Sequence, residues 1–176
     1  MCWSGTCFRN TGKAICINPL RMRKDNPMLF SPQIPLPLMP ARDSRFENFV
    51  SGSNGAILKA LKHLPEEPGA SVFLSGGEGS GKTHLLNATC VETRERQGRA
   101  FYLALKRVPK DAIASLQGLE KLDLVCVDDL HVIAGDDTWE EALFHCFNRI
   151  REANGRLLVS SRERLSALQL GLPDLA

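Results

Sequence analysis

Residues 76–83 read Gly-Gly-Glu-Gly-Ser-Gly-Lys-Thr, a spacing suited to holding a phosphate chain. Glycine at Gly76, Gly79 and Gly81 lets the backbone turn tightly and approach phosphate oxygens, so that successive N–H groups and the positive end of a following helix face the anion. Gly77, Glu78 and Ser80 complete the loop. Lys82 then supplies a point charge for the β- and γ-phosphates, and the Thr83 hydroxyl can ligate Mg2+. The implied ligand is a purine nucleoside diphosphate or triphosphate, ADP or ATP, with magnesium.

A hydrolytic phosphate site needs a second acid near the metal, usually where an adjacent apolar strand ends. Leu124-Val125-Cys126-Val127-Asp128-Asp129 has that form. Asp128 is the expected magnesium-side carboxylate. Asp129 is positioned to polarise an attacking water, although an acid just past a strand end also serves as a helix cap or turn former. Ser160 and Ser161, closing a later apolar run, are either sensors of the γ-phosphate or a polar strand terminus. His84, His131 and His145 lack metal-ligand spacing and read as ordinary helix or loop residues.

These groups need elements that bring them together. Residues 71–75 form a short apolar run into the glycine cluster, and 82–96 read as a helix closed by Gln97-Gly98. Strands are expected at 100–105, 122–127 and 156–160, with helices around 109–116 and over 138–153. The last helix places Trp139, Leu143, Phe144, Phe147 and Ile150 on one face and ends at Asn154-Gly155. A shorter amphipathic helix covers 53–63, capped by Ser53 or Asn54. Strands alternating with helices imply an α/β fold with a parallel sheet covered on both faces.

Composition bounds the reading. With 176 residues, 43% hydrophobic, the chain suits one compact domain. Five of its 22 basic residues and one of its 20 acidic ones fall in residues 1–27, so the remainder carries 17 against 19. A mildly acidic body gives no general electrostatic reason to bind DNA, which points to contact through a partner. Residues 1–27 lack periodicity and are either a basic tail or the product of a mis-assigned start. Residues 28–43 include four prolines between Met28 and Pro40, favouring an extended segment that is either a linker or a docking peptide. Cys90, Cys126 and Cys146 lie in apolar-periodic segments and read as buried thiols, which fits a reducing cytoplasm. No run approaches a membrane span, and no signal peptide is expected.

Several separate stretches resemble the DnaA-type AAA+ family of bacterial replication initiators and their shorter homologues, the regulatory inactivators of DnaA. Phe46-Glu47-Asn48-Phe49-Val50-Ser51-Gly52 resembles the family's opening box, which lies near the adenine and implies nucleotide contacts for Phe49 and Val50. Gly81-Lys82-Thr83-His84-Leu85-Leu86 is similar to its P-loop and adds His84 to that set. Val127-Asp128-Asp129 through Ile133-Ala134-Gly135 resembles its Walker B region, and residues 140–148 the helix that follows. Together these span residues 44–176, an expected AAA+ P-loop NTPase domain.

The resemblance also bears on partners. In the inactivators a short N-terminal peptide docks on the DNA polymerase sliding clamp, and Gln33-Ile34-Pro35-Leu36-Pro37-Leu38 looks like that peptide. Gln33 suits a pocket rim, and Leu36 and Leu38 suit an apolar groove approached by an extended backbone. The clamp-bound protein then stimulates hydrolysis of ATP held by DnaA, meeting DNA only indirectly through the clamp. A DnaA-like initiator or helicase-loader ATPase fragment is the alternative. The family's arginine finger follows shortly after the segment resembling Gly171-Leu172-Pro173-Asp174-Leu175-Ala176. The finger, the fifth strand and the helical lid are therefore expected to be missing. With the family's strand order 5-1-4-3-2, the P-loop strand would become a sheet edge, nucleotide affinity would be weaker, and stimulated hydrolysis on DnaA would fail.

Overall fold

The computed structural model describes residues 44–50 and 55–171. Four parallel strands form its sheet: β1 (Ser71–Ser75), β2 (Ala100–Ala104), β3 (Leu124–Asp128) and β4 (Arg156–Ser161), in the spatial order β1-β4-β3-β2. β1 lies at an edge among the described residues, as the expected strand order requires. Among the described residues three α-helices accompany the sheet: α1 (Gly55–His63), α2 (Lys82–Glu95) and α3 (Asp137–Glu152).

The strands are apolar on both faces because both faces are covered. Leu103, Val125, Val127, Leu157 and Val159 point into a core shared with Trp139, Leu143, Cys146 and Ile150 of α3. The alternate residues Tyr102, Leu124, Cys126 and Leu158 join Leu85, Leu86 and Cys90 of α2 and Leu61 of α1. This period-2 division follows from the pleat, since successive Cβ atoms leave a strand on opposite sides. Registry makes it continuous: Tyr102 lies opposite Cys126, and Cys126 opposite Leu158.

Both long helices end at a dipeptide in which the residue before glycine takes the left-handed conformation, Gln97 at φ 65° and Asn154 at φ 57°. The glycines are needed for space. A Cβ on Gly98 would lie 2.8 Å from Thr93 Cγ2, and one on Gly155 2.9 Å from Ile150 Cγ2. Their N–H groups donate to Thr93 O and Ile150 O, satisfying carbonyls that the helix leaves open. At the other end of α3, the Asp136 carboxylate accepts from Trp139 N–H at 3.3 Å, an N-cap that the sequence reading did not identify.

Three expectations require correction. The segment expected as a helix around 109–116 is a 3-10 turn, Ala112–Leu116, followed by Gly118 at φ 80°. It is too short to sustain α-helical hydrogen bonding and is held by Ala112 and Leu116 in the core. Phe144 does not share the core face of α3; Cys146 is buried there instead, because 100° per residue carries position 144 away from the stripe through 139, 143, 146 and 150. The third strand begins at Leu124 and includes Asp128, so the key acid is the strand's last residue. The proposed caps Ser53 and Asn54, the segments 1–27 and 28–43 and residues 172–176 lie outside the described residues.

Burial explains the thiols. Cys90 donates to Cys126 Sγ at 3.3 Å between α2 and β3, and Cys126 to Leu86 O at 3.7 Å. Desolvation raises the Cys126 thiol pKa well above the ordinary range, with Cys90 adding to the effect, and burial pushes Cys146 up to about 11. Such thiols stay protonated and pack as small apolar groups.

Candidate functional site: a phosphate cradle at the ends of four parallel strands

All four strands point their C-terminal ends the same way, and ligand sites in parallel sheets form at that edge. β1 runs into the glycine loop, and the first loop residue remains tied to the sheet, with Gly76 N–H donating to Ser161 O at 3.2 Å. The chain then enters α2 through Gly81, at φ 84°. Lys82 Nζ lies at the centre of the loop, donating to Gly76 O at 2.6 Å, Gly77 O at 2.8 Å and Ser80 Oγ at 3.0 Å. Its charge is thereby fixed where phosphate oxygens would converge on the loop N–H groups and the α2 N-terminus.

Asp128 is 2% exposed and organises the opposite wall. Its Oδ2 accepts from Thr83 Oγ1 and from the Tyr102 hydroxyl, both at 2.7 Å, and its Oδ1 accepts from Ser160 Oγ. Thr83 and Asp128 thus place two hard oxygen donors side by side across 45 residues of sequence. That donor set fits Mg2+, which prefers oxygen ligands and retains waters and phosphate oxygens in its remaining positions. Burial, followed by the hydrogen bond to Asp128, raises the Tyr102 phenol far above its ordinary value, so Tyr102 remains a donor to the carboxylate.

Next to this pair, Asp129 adopts φ 63°, ψ 45°, a left-handed conformation that Asp tolerates better than most residues. It lines the groove, and its N–H donates to Ser160 Oγ at 3.2 Å. Ser160 and Ser161 are fully buried. Ser160 joins Asp128 to the Asp129 backbone, and Ser161 Oγ accepts from Glu163 N–H at 3.2 Å; neither lines the groove.

The opening box lies against the start of α2. Phe46 is buried, and Arg45 pairs with Glu95 at 2.9 Å while its carbonyl accepts from His84 Nε2 at 2.8 Å. Phe49 lies 5.8 Å from the His84 ring and covers Gly81, where an added Cβ would meet Phe49 Cε2 at 2.5 Å. Val50 is 92% exposed. Phe49 and His84 are therefore brought to the P-loop, whereas Val50 projects away from the packed body. Gly81→Ala combines a left-handed backbone with this clash and should cost about 1–3 kcal/mol. Thermal melting together with nucleotide titration checks it, with both the midpoint and the affinity expected to fall.

The resulting groove has a volume of about 470 Å3 and is lined by Glu78 through His84 with Asp128 and Asp129. It also contains Tyr102, Ala104, Lys106, Arg107 and Arg162, which sequence reasoning missed. A signal was present: Lys106 and Arg107 follow β2, and Arg162 follows β4, so each lies just beyond a parallel strand's C-terminal end. Gln33 through Leu38 lie outside the described residues. No helix among the described residues is long and apolar enough to cross a membrane.

Comparison with known proteins agrees with this geometry. The replication initiator DnaA bound to AMPPCP and single-stranded DNA is 24% identical, with a TM-score of 0.68 over 77% of this chain and 47% of that one. Domain III of the replication initiation protein DnaA from Thermotoga maritima is 27% identical, with a TM-score of 0.68, over 79% and 63% of the two chains. DnaI shares the fold at 19% identity and a TM-score of 0.55, covering 65% of this chain and 69% of its own. The present chain spans about half the length of the first of these. Its fold is that of the AAA+ P-loop NTPase domain of the solved DnaA structures. The family described as the bacterial DnaA ATPase domain matches residues 41–170, most of the chain, and the protein belongs to that family.

Proposed function

We propose that this protein is a nucleotide-binding regulator of replication initiation of the Hda type, the regulatory inactivator of DnaA. It binds ADP or ATP with Mg2+ in the P-loop groove and docks on the sliding clamp through residues 33–38, and the role of the type, promoting ATP hydrolysis on DnaA, needs the arginine finger that in the family follows the segment resembling residues 171–176. The observation that carries the nucleotide reading is the apposition of Thr83 and Asp128 at 2.7 Å beside the Lys82 loop. The AMPPCP bound to the related initiator supports the ligand class.

In this reading Lys82 and the loop N–H groups hold the phosphates, and Phe49 and His84 border the base side. Thr83 and Asp128 hold the metal, which would neutralise phosphate charge. Ser160 acts through Asp128 and the Asp129 backbone, giving a route by which the γ-phosphate state reaches the end of β4; Ser161 anchors the first loop residue to the same strand. The proposed location is cytoplasmic, at the nucleoid through the clamp.

The docking assignment rests on the peptide's residue types and its place ahead of the AAA+ body. Clamp pull-down tests it: Gln33→Ala with Leu36→Ala should remove at least about 90% of retained protein, consistent with the loss of anchor contacts. Retention equal to that of the unchanged chain removes the assignment. A second reading, an ATPase in its own right, is favoured by Asp129 lining the groove next to Asp128. Phosphate release separates the two. Steady release by the chain alone supports the ATPase, whereas no release without partners supports the regulator.

A further inference from the structure

β4 begins with a charge on an inward face. Residues paired across β3 and β4 leave the sheet on the same side, so Arg156, opposite Leu124, shares the α2-covered face with Cys126 and Leu158. An arginine there can lay its stem along apolar neighbours, but its head needs acceptors. Arg156 Nε is buried and has no hydrogen-bond partner among the described residues. A buried donor of a charged group left in that state is costly, and native structures rarely keep one.

Arg156 borders a cavity of about 140 Å3 at the N-terminal edge of the sheet, the edge opposite the phosphate loop. Pro65, Thr93, Arg96, Gly98 and Asp123 form the rest of its wall. Two acceptors on that wall are already engaged. Thr93 O accepts from Gly98 N–H at 2.9 Å, and Asp123 Oδ2 accepts from Arg99 N–H at 2.7 Å. Arg99 Nε also lies 3.4 Å from the Asp123 carboxylate and offsets part of its charge. Arg96 brings a second guanidinium to the cavity, paired with Glu66 and with Glu92 at 2.8 Å in contacts that remain partly exposed and contribute little.

We propose that this cavity is a second anion site, taking a small oxyanion of the phosphate class between Arg156 and Arg96. The planar fork of Arg156 suits two oxygens of such an ion, and guanidinium groups on two walls suit an ion with more than two. The space is well below that of clefts that take drug-sized ligands, which excludes a nucleotide. α2 runs from Lys82 and Thr83 at the P-loop groove to Glu95, one residue before Arg96, so the two sites lie at opposite ends of one helix. The oxyanion site stands independently of the nucleotide reading.

The test uses the full chain carrying Lys82→Ala, which weakens the P-loop as a competing phosphate site, melted in sodium phosphate and in sodium chloride of equal ionic strength. The midpoint should be about 3–5 °C higher in about 50 mM phosphate than in chloride, the gain for a ligand at roughly ten times its dissociation constant. Adding Arg156→Met should reduce that difference to less than about 1 °C. Its midpoint in chloride should match or exceed the parent's, because an apolar chain removes the unpaired buried donor. Arg156→Lys keeps the charge without the fork, should show an intermediate difference, and serves in place of a Met variant that does not fold. A general salting effect of phosphate would raise all of these proteins alike, and that result overturns the proposal. No gain over chloride in the Lys82→Ala parent also overturns it, since water alone would then serve Arg156.

Discussion

Lys82→Ala is expected to reduce affinity for Mg-ATP by about a hundredfold or more while leaving the fold in place. The ammonium donates to two loop carbonyls and the Ser80 hydroxyl, so it stands where the loop's N–H groups converge. Two charge-assisted hydrogen bonds to phosphate oxygens, at roughly 1.5–3 kcal/mol each, account for that loss. Stability should change little, because the freed carbonyls belong to an exposed loop and water can replace the ammonium. Calorimetric titration with a parallel melting curve separates the two effects. Wild-type affinity in the variant would show that nucleotide binds somewhere other than this loop.

Asp128→Ala should instead act on the fold as well as the site. The buried carboxylate accepts hydroxyl donors from β2, α2 and β4, so its removal leaves Tyr102, Thr83 and Ser160 without their common acceptor. At about 1–3 kcal/mol for each donor left buried and unpaired, and with partial access to water through the groove, the expected cost is about 2–5 kcal/mol. The melting midpoint should fall by about 5–15 °C in a domain of this size. Tyr102→Phe is the contrasting variant. It removes one donor and leaves the acceptor two others, so its midpoint should move by less than about 4 °C. The Asp128 variant should also lose the magnesium dependence of nucleotide binding, which equilibrium titration with and without the metal measures.

The two variants differ because their environments differ. Lys82 opens α2 and its ammonium reaches a solvent-facing loop whose groups are satisfied either way, whereas Asp128 lies where three elements meet beneath the surface. The Thr83 hydroxyl was expected beside Asp128 through the metal, but the Tyr102 and Ser160 hydroxyls came from separate parts of the sequence, with nothing in their local patterns to link them to it. Tyr102 reads locally as a strand aromatic and Ser160 as a polar strand terminus. Only the registry of β2, β3 and β4 brings them within 3.5 Å of one carboxylate.

The elements themselves were legible wherever local pattern and tertiary demand agreed. The glycine loop between an apolar run and a helix specifies its own geometry, because left-handed turns and close approach both require glycine there. The helix ends at 97–98 and 154–155 were marked by small and polar residues, although the left-handed backbone fell to Gln97 and Asn154 and the space constraint to the glycines. The segment 109–116 was less legible, since a short apolar cluster satisfies a 3-10 turn as well as the start of a helix. Phe144 was misplaced because a stripe drawn by hydrophobicity alone counts every aromatic as inward.

The sequence by itself determined the phosphate-binding loop, the acid at the end of β3 and the alternation that makes a parallel α/β domain. Each is encoded over a few consecutive residues. Only the tertiary structure decided that Phe49 closes over Gly81, that Ser160 serves Asp128, and that Arg162 faces Glu78 across the groove. Those relations depend on strand order and on which loops share the C-terminal edge of the sheet, long-range properties that local residue spacing does not encode.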